Sequence, residues 1–184
     1  MVKPQSYCET VWERDDADPH KIYHNTVYGF PLHDDNELFG RLILEINQAG
    51  LSWTTILKKQ ENFRKAFDNF DIQTVAKYGT DNRTRLLENE GIIRNRLKIN
   101  AAIYNANVIM GIQKEHGSFK NWLDKNHPLL INEWVKLFKK YFKFTGREII
   151  KEFLMSIGYL KGAHIPECPI YQKILTQNPK WFDI

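Results

Sequence analysis

Cysteine is nearly absent: the 184-residue chain has two, Cys8 and Cys168, close to its opposite ends. So sparse a pair excludes the disulfide-stapled class of small secreted domains. In a reducing compartment it marks metal binding, chemistry or packing more often than a bridge. Long apolar runs are missing too, and no stretch approaches the roughly 20 residues of a membrane-spanning helix, so no membrane contact is expected. The start Met1-Val2-Lys3-Pro4 has no apolar signal core, which makes the cytosol or nucleoid the expected location. Charge of one sign is weak: 26 Lys and Arg against 22 Asp and Glu leave +4. That permits contact with phosphate without arguing for it. Repeats and low-complexity segments are absent, so neither a solenoid nor a tethered tail is indicated. A chain this long buries roughly 70% of its unfolded surface and needs no staples. It is expected to form one unit over residues 1–184, with two closely packed helical lobes as a variant of that picture.

What is present reads almost entirely as helix, because apolar residues recur at three- and four-residue spacing and no alternating strand run exceeds a few residues. An all-α domain follows. Asp34-Asp35-Asn36 are candidate caps for a helix carrying Leu38, Phe39, Leu42, Ile43 and Ile46 on one stripe, which Ala49-Gly50 stops. Trp53 to Leu57 and Phe63 to Phe67 read as two short amphipathic pieces. Asp71 to Lys77, Asn82 to Leu87 and a longer helix from about Lys98 to Ile112 follow. Trp122, Leu123, Trp134, Leu137 and Phe138 mark a further pair, and Thr145-Gly146 opens a last strong helix through Ile149, Phe153 and Ile157. Residues 1–33 and 159–184 read as irregular ends.

Those ends hold the metal-ligand residue types. His164-Ile165-Pro166-Glu167-Cys168 has a spacing that lets two side chains approach one ion, while Cys8 and His24 lie near the other terminus. Two sulfurs and two imidazoles suit tetrahedral zinc, and four protein ligands leave no position for activated water, so such a site is structural. It would tie the two irregular ends together. His20, four residues before His24, is an alternative ligand, and the other reading is a surface thiol and a packed thiol with incidental histidines.

A second group has the chemistry of base recognition. Glu45 borders the buried stripe of its helix, where a carboxylate must find a hydrogen bond or a cation. Trp53 follows across a turn, and Tyr23 adjoins His24. Two aromatic faces and one acceptor suit a flat, positively charged heterocycle; the competing reading is a solvated glutamate and two core aromatics. In Phe142-Lys143-Phe144-Thr145-Gly146-Arg147 a turn leads into a helix, a shape whose amides can grip a DNA phosphate without reading sequence. An ordinary helix start with a solvated basic face is equally consistent with that pattern.

Together these segments resemble the DNA-3-methyladenine glycosylase I family of the helix-hairpin-helix glycosylase superfamily, from about Tyr7 to Cys168. The most specific stretch is Leu44-Glu45-Ile46-Asn47-Gln48-Ala49-Gly50-Leu51-Ser52-Trp53, continued by Thr55 to Lys59 and Glu61 to Arg64. Gly91-Ile92-Ile93-Arg94-Asn95-Arg96 with Lys98-Ile99, then Phe142 to Gly146, then His164-x3-Cys168, match in the same order.

The resemblance implies a monofunctional glycosylase that flips 3-methyladenine out of alkylated duplex DNA and leaves an abasic site. It implies Cys8, His24, His164 and Cys168 as ligands of one structural zinc, and Glu45 as the catalytic pocket carboxylate. Tyr23, Trp53 and Tyr28 are then substrate-binding, in a pocket between the lobes if there are two. Gly50 and Leu51, with Leu51 as a wedge, and Lys143, Gly146 and Arg147 of the hairpin are then DNA-binding. No nucleotide cofactor is implied, and a monomer is expected. Many members of the superfamily carry a catalytic aspartate downstream of the hairpin, but none lies between Asp124 and Asp183 here. The chemistry is therefore expected to lean less on activating water.

Some family positions differ. Asn25-Thr26-Val27-Tyr28-Gly29 stands where the family usually reads Asp-Asn-Glu-Trp-Gly, so the phenol of Tyr28 replaces an indole. Thr10 stands where a tryptophan is usual, with Trp12 as a shifted substitute, and Tyr141 opens the hairpin where glycine is common. These changes leave an alternative: a catalytically weakened paralogue that binds damaged or abasic DNA.

Overall fold

The computed structural model describes residues 6–182. Among them every regular element is helical. The α-helices are α1 (Tyr7–Val11), α2 (Pro19–Thr26), α3 (Asp35–Gln48), α4 (Trp53–Ala66), α5 (Ile72–Ala76) and α6 (Thr80–Glu88). They continue with α7 (Arg96–His116), α8 (Phe119–Asn126), α9 (Ile131–Tyr141), α10 (Arg147–Ser156) and α11 (Pro169–Leu175), and 3-10 turns occupy Asp68–Phe70 and Lys180–Phe182. Among the described residues no helix is long and apolar enough to cross a membrane. The chain divides into two compact units, one of residues 33–150 and one of the two terminal segments, with the boundary inside α10.

In the 33–150 unit, side-chain caps fix where helices begin. Asp34 accepts from the amide of Glu37 at α3, Ser52 from Thr55 at α4, Asn95 from Lys98 at α7 and Ser118 from Asn121 at α8. Each cap satisfies an amide that has no partner inside the helix and is worth about 1 kcal/mol. Asp35, in the first turn of α3, also accepts from the amides of Phe119 (2.8 Å) and Lys120 (3.0 Å), which ties α3 to the start of α8. Leu38, Phe39, Leu42 and Ile43 of α3 are fully buried. Gly40 lets the ring of Phe70 come so close that a Cβ on it would lie 2.4 Å from a ring carbon. Phe138 and Phe142 stack with centroids 5.0 Å apart, beside Phe119 and Trp122.

In the terminal unit, Ser6 caps α1 and Asp18 caps α2, and Pro19 and Pro169 occupy first turns whose amides have no helical partner to lose. Gly29 adopts φ +84° and donates its amide to the Ser156 carbonyl at 2.9 Å. A Cβ there would lie 2.8 Å from that of Ala163, so the position requires glycine twice over. Cys8, Cys168, Ile170 and Ile174 form a buried cluster covered by Phe30, Ile165, Tyr171 and Trp181.

Two sequence expectations need correction. Trp53–Leu57 and Phe63–Phe67 are not separate pieces: Trp53–Ala66 is one helix. The turn between them, Lys58 to Asn62, is largely exposed, so the apolar stripe lapses there while the backbone continues. The terminal segments are also less irregular than their patterns indicate, since they hold α1, α2 and α11, helices of five to eight residues. So short a helix shows barely two turns of periodicity and is stabilised by packing rather than by its own sequence.

Candidate active site and metal centre

Within the terminal unit, Cys8, His24, His164 and Cys168 converge, each buried, with one donor atom apiece and all four atoms within 4.8 Å of one another. Cys8 comes from α1, His24 from the last turn of α2, and Cys168 is the N-cap of α11. Cys8 Sγ and Cys168 Sγ each lie 3.6 Å from His164 Nδ1, and Cys168 Sγ lies 3.7 Å from His24 Nε2. The edges of a tetrahedron around an ion with sulfur and imidazole bonds are about 3.5 Å, so the spacing fits a shared ion.

The outer nitrogens agree with that reading. His164 Nε2 lies 2.8 Å from the Tyr28 carbonyl, which can only accept, so Nε2 carries the proton and Nδ1 presents its lone pair to the sulfurs. His24 Nδ1 lies 2.7 Å from Asn25 Oδ1, which leaves Nε2 for the same centre. Such outer hydrogen bonds orient ligating histidines. Burial pushes the Cys8 thiol up to about 11 and, helped by His24, pulls His164 down to about 4. Burial thus favours the neutral forms of Cys8 and His164; a bound ion would supply the charge that holds thiolates. His20 is occupied elsewhere, its Nδ1 2.9 Å from the Tyr7 hydroxyl.

Aromatic rings surround this group. Tyr23 and Tyr28 are buried with centroids 5.6 Å apart, and Tyr7 meets Tyr28 edge-on at 5.5 Å. Tyr28 donates its hydroxyl to Glu152 at 2.9 Å, so the phenol has a partner an indole would meet differently. Trp12, the shifted substitute for the missing tryptophan, is 46% exposed and fills no core position.

In the 33–150 unit, Glu45 lies in the last turn of α3 and is 4% exposed. Trp53 is the first residue of α4 and is half-buried. Between the two helices Gly50 turns at φ +80° and Leu51 is 39% exposed. The buried Lys98 of α7 donates to the carbonyls of Asn47 (2.9 Å) and Ala49 (2.7 Å), closing the end of α3. Its ammonium also lies 5.9 Å from the ring centroid of Phe144.

The hairpin between α9 and α10 hangs on Asn105. Fully buried, Asn105 donates to the Lys143 carbonyl (3.1 Å) and accepts from the Lys143 amide (2.8 Å). The left-handed residue of this turn is Phe144, at φ +60°, rather than Gly146. Arg147 bonds the side chain of Asn132.

A family model described as methyladenine glycosylase matches residues 12–135. The chain belongs to the methyladenine glycosylase family. It is 32% identical to a DNA-3-methyladenine glycosylase of Haemophilus influenzae (strain KW20), with 80% of this chain and 89% of that protein covered. It is 34% identical to DNA-3-methyladenine glycosylase 1 of Escherichia coli K12, covering 81% and 89%. Among solved structures, a Tyr-to-Phe variant of 3-methyladenine DNA glycosylase I in complex with 3-methyladenine superposes with a TM-score of 0.77. That chain is 30% identical, over 85% of this chain and 94% of its own length. The all-helical architecture is thus that of methyladenine glycosylases.

Two residues that hold these loops carried no role in the sequence reading. Lys98 entered only as a matching letter, and Asn105 not at all. Their signal was present: two polar residues seven apart on a helix, on the face otherwise filled by Ala101 and Ala102 and by Ile109, all buried. A buried lysine and asparagine must be hydrogen-bonded, but sequence does not say to which loop.

Proposed function

We propose that this chain is a monofunctional glycosylase of base-excision repair that hydrolyses the N-glycosidic bond of 3-methyladenine in alkylated duplex DNA and leaves an abasic site. The supporting observation is Glu45: in a chain of this family, a carboxylate buried in the last turn of a helix that leads into an exposed Gly50-Leu51 turn. Alkylation at N3 makes adenine cationic, so the base departs neutral and the bond is already weak. The protein has to extrude the nucleotide, select the ring and admit water. Glu45 accepts a hydrogen bond from the exocyclic amine and favours positive charge. Tyr23 and Trp53 offer aromatic faces worth about 0.5 to 2 kcal/mol per cation–π contact, and Tyr28 supports Tyr23.

Leu51 fills the gap left by the flipped nucleotide, with Gly50 allowing the turn, while Lys143, Gly146 and Arg147 hold backbone phosphate. Cys8, His24, His164 and Cys168 would hold one zinc ion. With all four positions taken by protein ligands, the ion's contribution is to fasten the terminal segments. The partner is duplex DNA, the protein acts as a monomer without a nucleotide cofactor, and it works in the cytosol at the nucleoid.

The test is release of free methylated bases from alkylated duplex DNA by zinc-replete protein, identified by chromatography and mass. Prompt release of 3-methyladenine is expected, and Glu45→Gln should lower release more than DNA affinity. Absence of release from folded, zinc-bound protein would favour the alternative, a relative that only binds damaged or abasic DNA.

A further inference from the structure

Helices α6 and α7 enclose a cleft of about 600 Å³ within the 33–150 unit, lined by none of the residues assigned a role above. Helical spacing sorts its walls by charge. Arg83 and Thr84 of α6 and Arg96, Asn100 and Tyr104 of α7 line it, over the buried Ile99. No acidic side chain does; Asp81 and Glu88 of α6 line a neighbouring cleft with Arg85 instead. Arg83 is held in place by a bond from its Nε to Asn100 Oδ1 at 3.2 Å. Among the described residues neither Arg83 nor Arg96 forms an ion pair.

Two arginines in one cleft, one anchored and neither neutralised, suit an anion of bidentate geometry such as a phosphodiester. The cleft is also continuous with the hairpin. Tyr104 is 45% exposed, and the ammonium of Lys143 lies 5.2 Å from its ring centroid. A strand following Lys143 would meet Tyr104 next and then the arginines.

We propose that the α6–α7 cleft is a second contact for the substrate's sugar-phosphate backbone, in which Arg83 and Arg96 hold phosphates beyond those adjoining the lesion and Tyr104 packs against the intervening sugar. This rests on the glycosylase reading and extends it: the lesion end supplies chemistry, and the cleft supplies length-dependent affinity without reading sequence.

Binding is measured by fluorescence anisotropy on duplexes carrying a tetrahydrofuran abasic-site analogue, one ending close to the analogue and one extending a helical turn beyond it on each side. The double variant Arg83→Gln/Arg96→Gln should bind the long duplex roughly tenfold more weakly, and its slope of log affinity against log salt should fall by about 2, near 0.9 per lost phosphate contact. Affinity for the short duplex, and base release at saturating DNA, should be unchanged. Arg96→Glu alone, at an exposed position, should shift the long duplex in the same direction, and Arg83→Lys/Arg96→Lys should restore most of the salt slope.

An unchanged slope and affinity in the folded variant would overturn the proposal, as would equal loss on both duplexes. So would weakening by inorganic phosphate alone with no dependence on duplex length, which would mark a small-anion site. Failure of the glycosylase reading shows separately, as wild-type protein that releases no base.

Discussion

The ammonium of Lys98 and the carbonyl of Ala49 meet at 2.7 Å, so a cation from α7 closes the end of α3 immediately before the Gly50-Leu51 turn. A positive charge there satisfies carbonyls that lack helical partners and complements the negative end of the helix dipole. Burial pulls the lysine's pKa below its ordinary value, a measure of how fully it has been taken from water.

Lys98→Met keeps the stem and removes the donors. The carbonyls of Asn47 and Ala49 lose their partner together, so the variant should be destabilised by about 2 to 6 kcal/mol, since each buried group left unsatisfied costs roughly 1 to 3. Urea unfolding measures that. Hydrogen exchange should quicken at the Leu51 amide, which bonds the Gln48 carbonyl across the turn. Unchanged exchange there would show that the turn holds its shape without Lys98.

If the Cys8, His24, His164 and Cys168 group holds an ion, it makes a sharper distinction between neighbours. Cys168→Ser should abolish stoichiometric metal, measured by elemental analysis, and lower the midpoint of thermal unfolding by several degrees or more, because binding energy at such a site is folding energy. His20→Ala should retain the metal, since His20 faces the Tyr7 hydroxyl instead. Metal lost from His20→Ala and kept in His24→Ala would reverse the assignment.

How much of this was legible in the sequence varied with the kind of constraint. The stripe Leu38 to Ile46 and the cap at Asp34 were readable because they depend on residues within one helix. So was the stop at Gly50, which takes a positive φ. Spacing alone left the choice between His20 and His24 open and only the family resemblance favoured His24, because both lie on one face of α2 and packing against Tyr7 and Cys168 separates them. The hairpin's glycine drew attention, yet Phe144 takes the left-handed conformation. That shape is imposed from outside the turn, where Asn105 clamps the residue before it.

Removing that clamp is informative. Asn105→Leu preserves volume at a site with no exposure but leaves the amide and carbonyl of Lys143 without their side-chain partner. A loss of about 2 to 6 kcal/mol is expected from two such groups. If the hairpin holds DNA phosphate, affinity for duplex should fall several-fold and the salt dependence should flatten by about one phosphate contact. Anisotropy titrations at several salt concentrations check both, and a stable variant with wild-type salt dependence would remove the hairpin from the DNA contact.

The hydrogen bond of the Tyr28 phenol leads to a prediction about activity. The hydroxyl has one proton, and it is donated to Glu152 at 2.9 Å, so it is not available to donate to a substrate base. What Tyr28 offers is its ring, packed 5.6 Å from that of Tyr23. Tyr28→Phe should therefore lose about 1 to 3 kcal/mol of stability, the range for a hydrogen bond to a charged group and the carboxylate it leaves behind. It should change the single-turnover rate of 3-methyladenine release by less than about threefold, because a phenyl ring keeps the face that supports Tyr23. Tyr28→Ala, which removes the ring, should slow release by tenfold or more while Glu152 fares no worse than in Tyr28→Phe. A large loss of rate in Tyr28→Phe with stability intact would mean that the hydroxyl itself reaches the substrate, and that its bond to Glu152 is exchanged when base is bound.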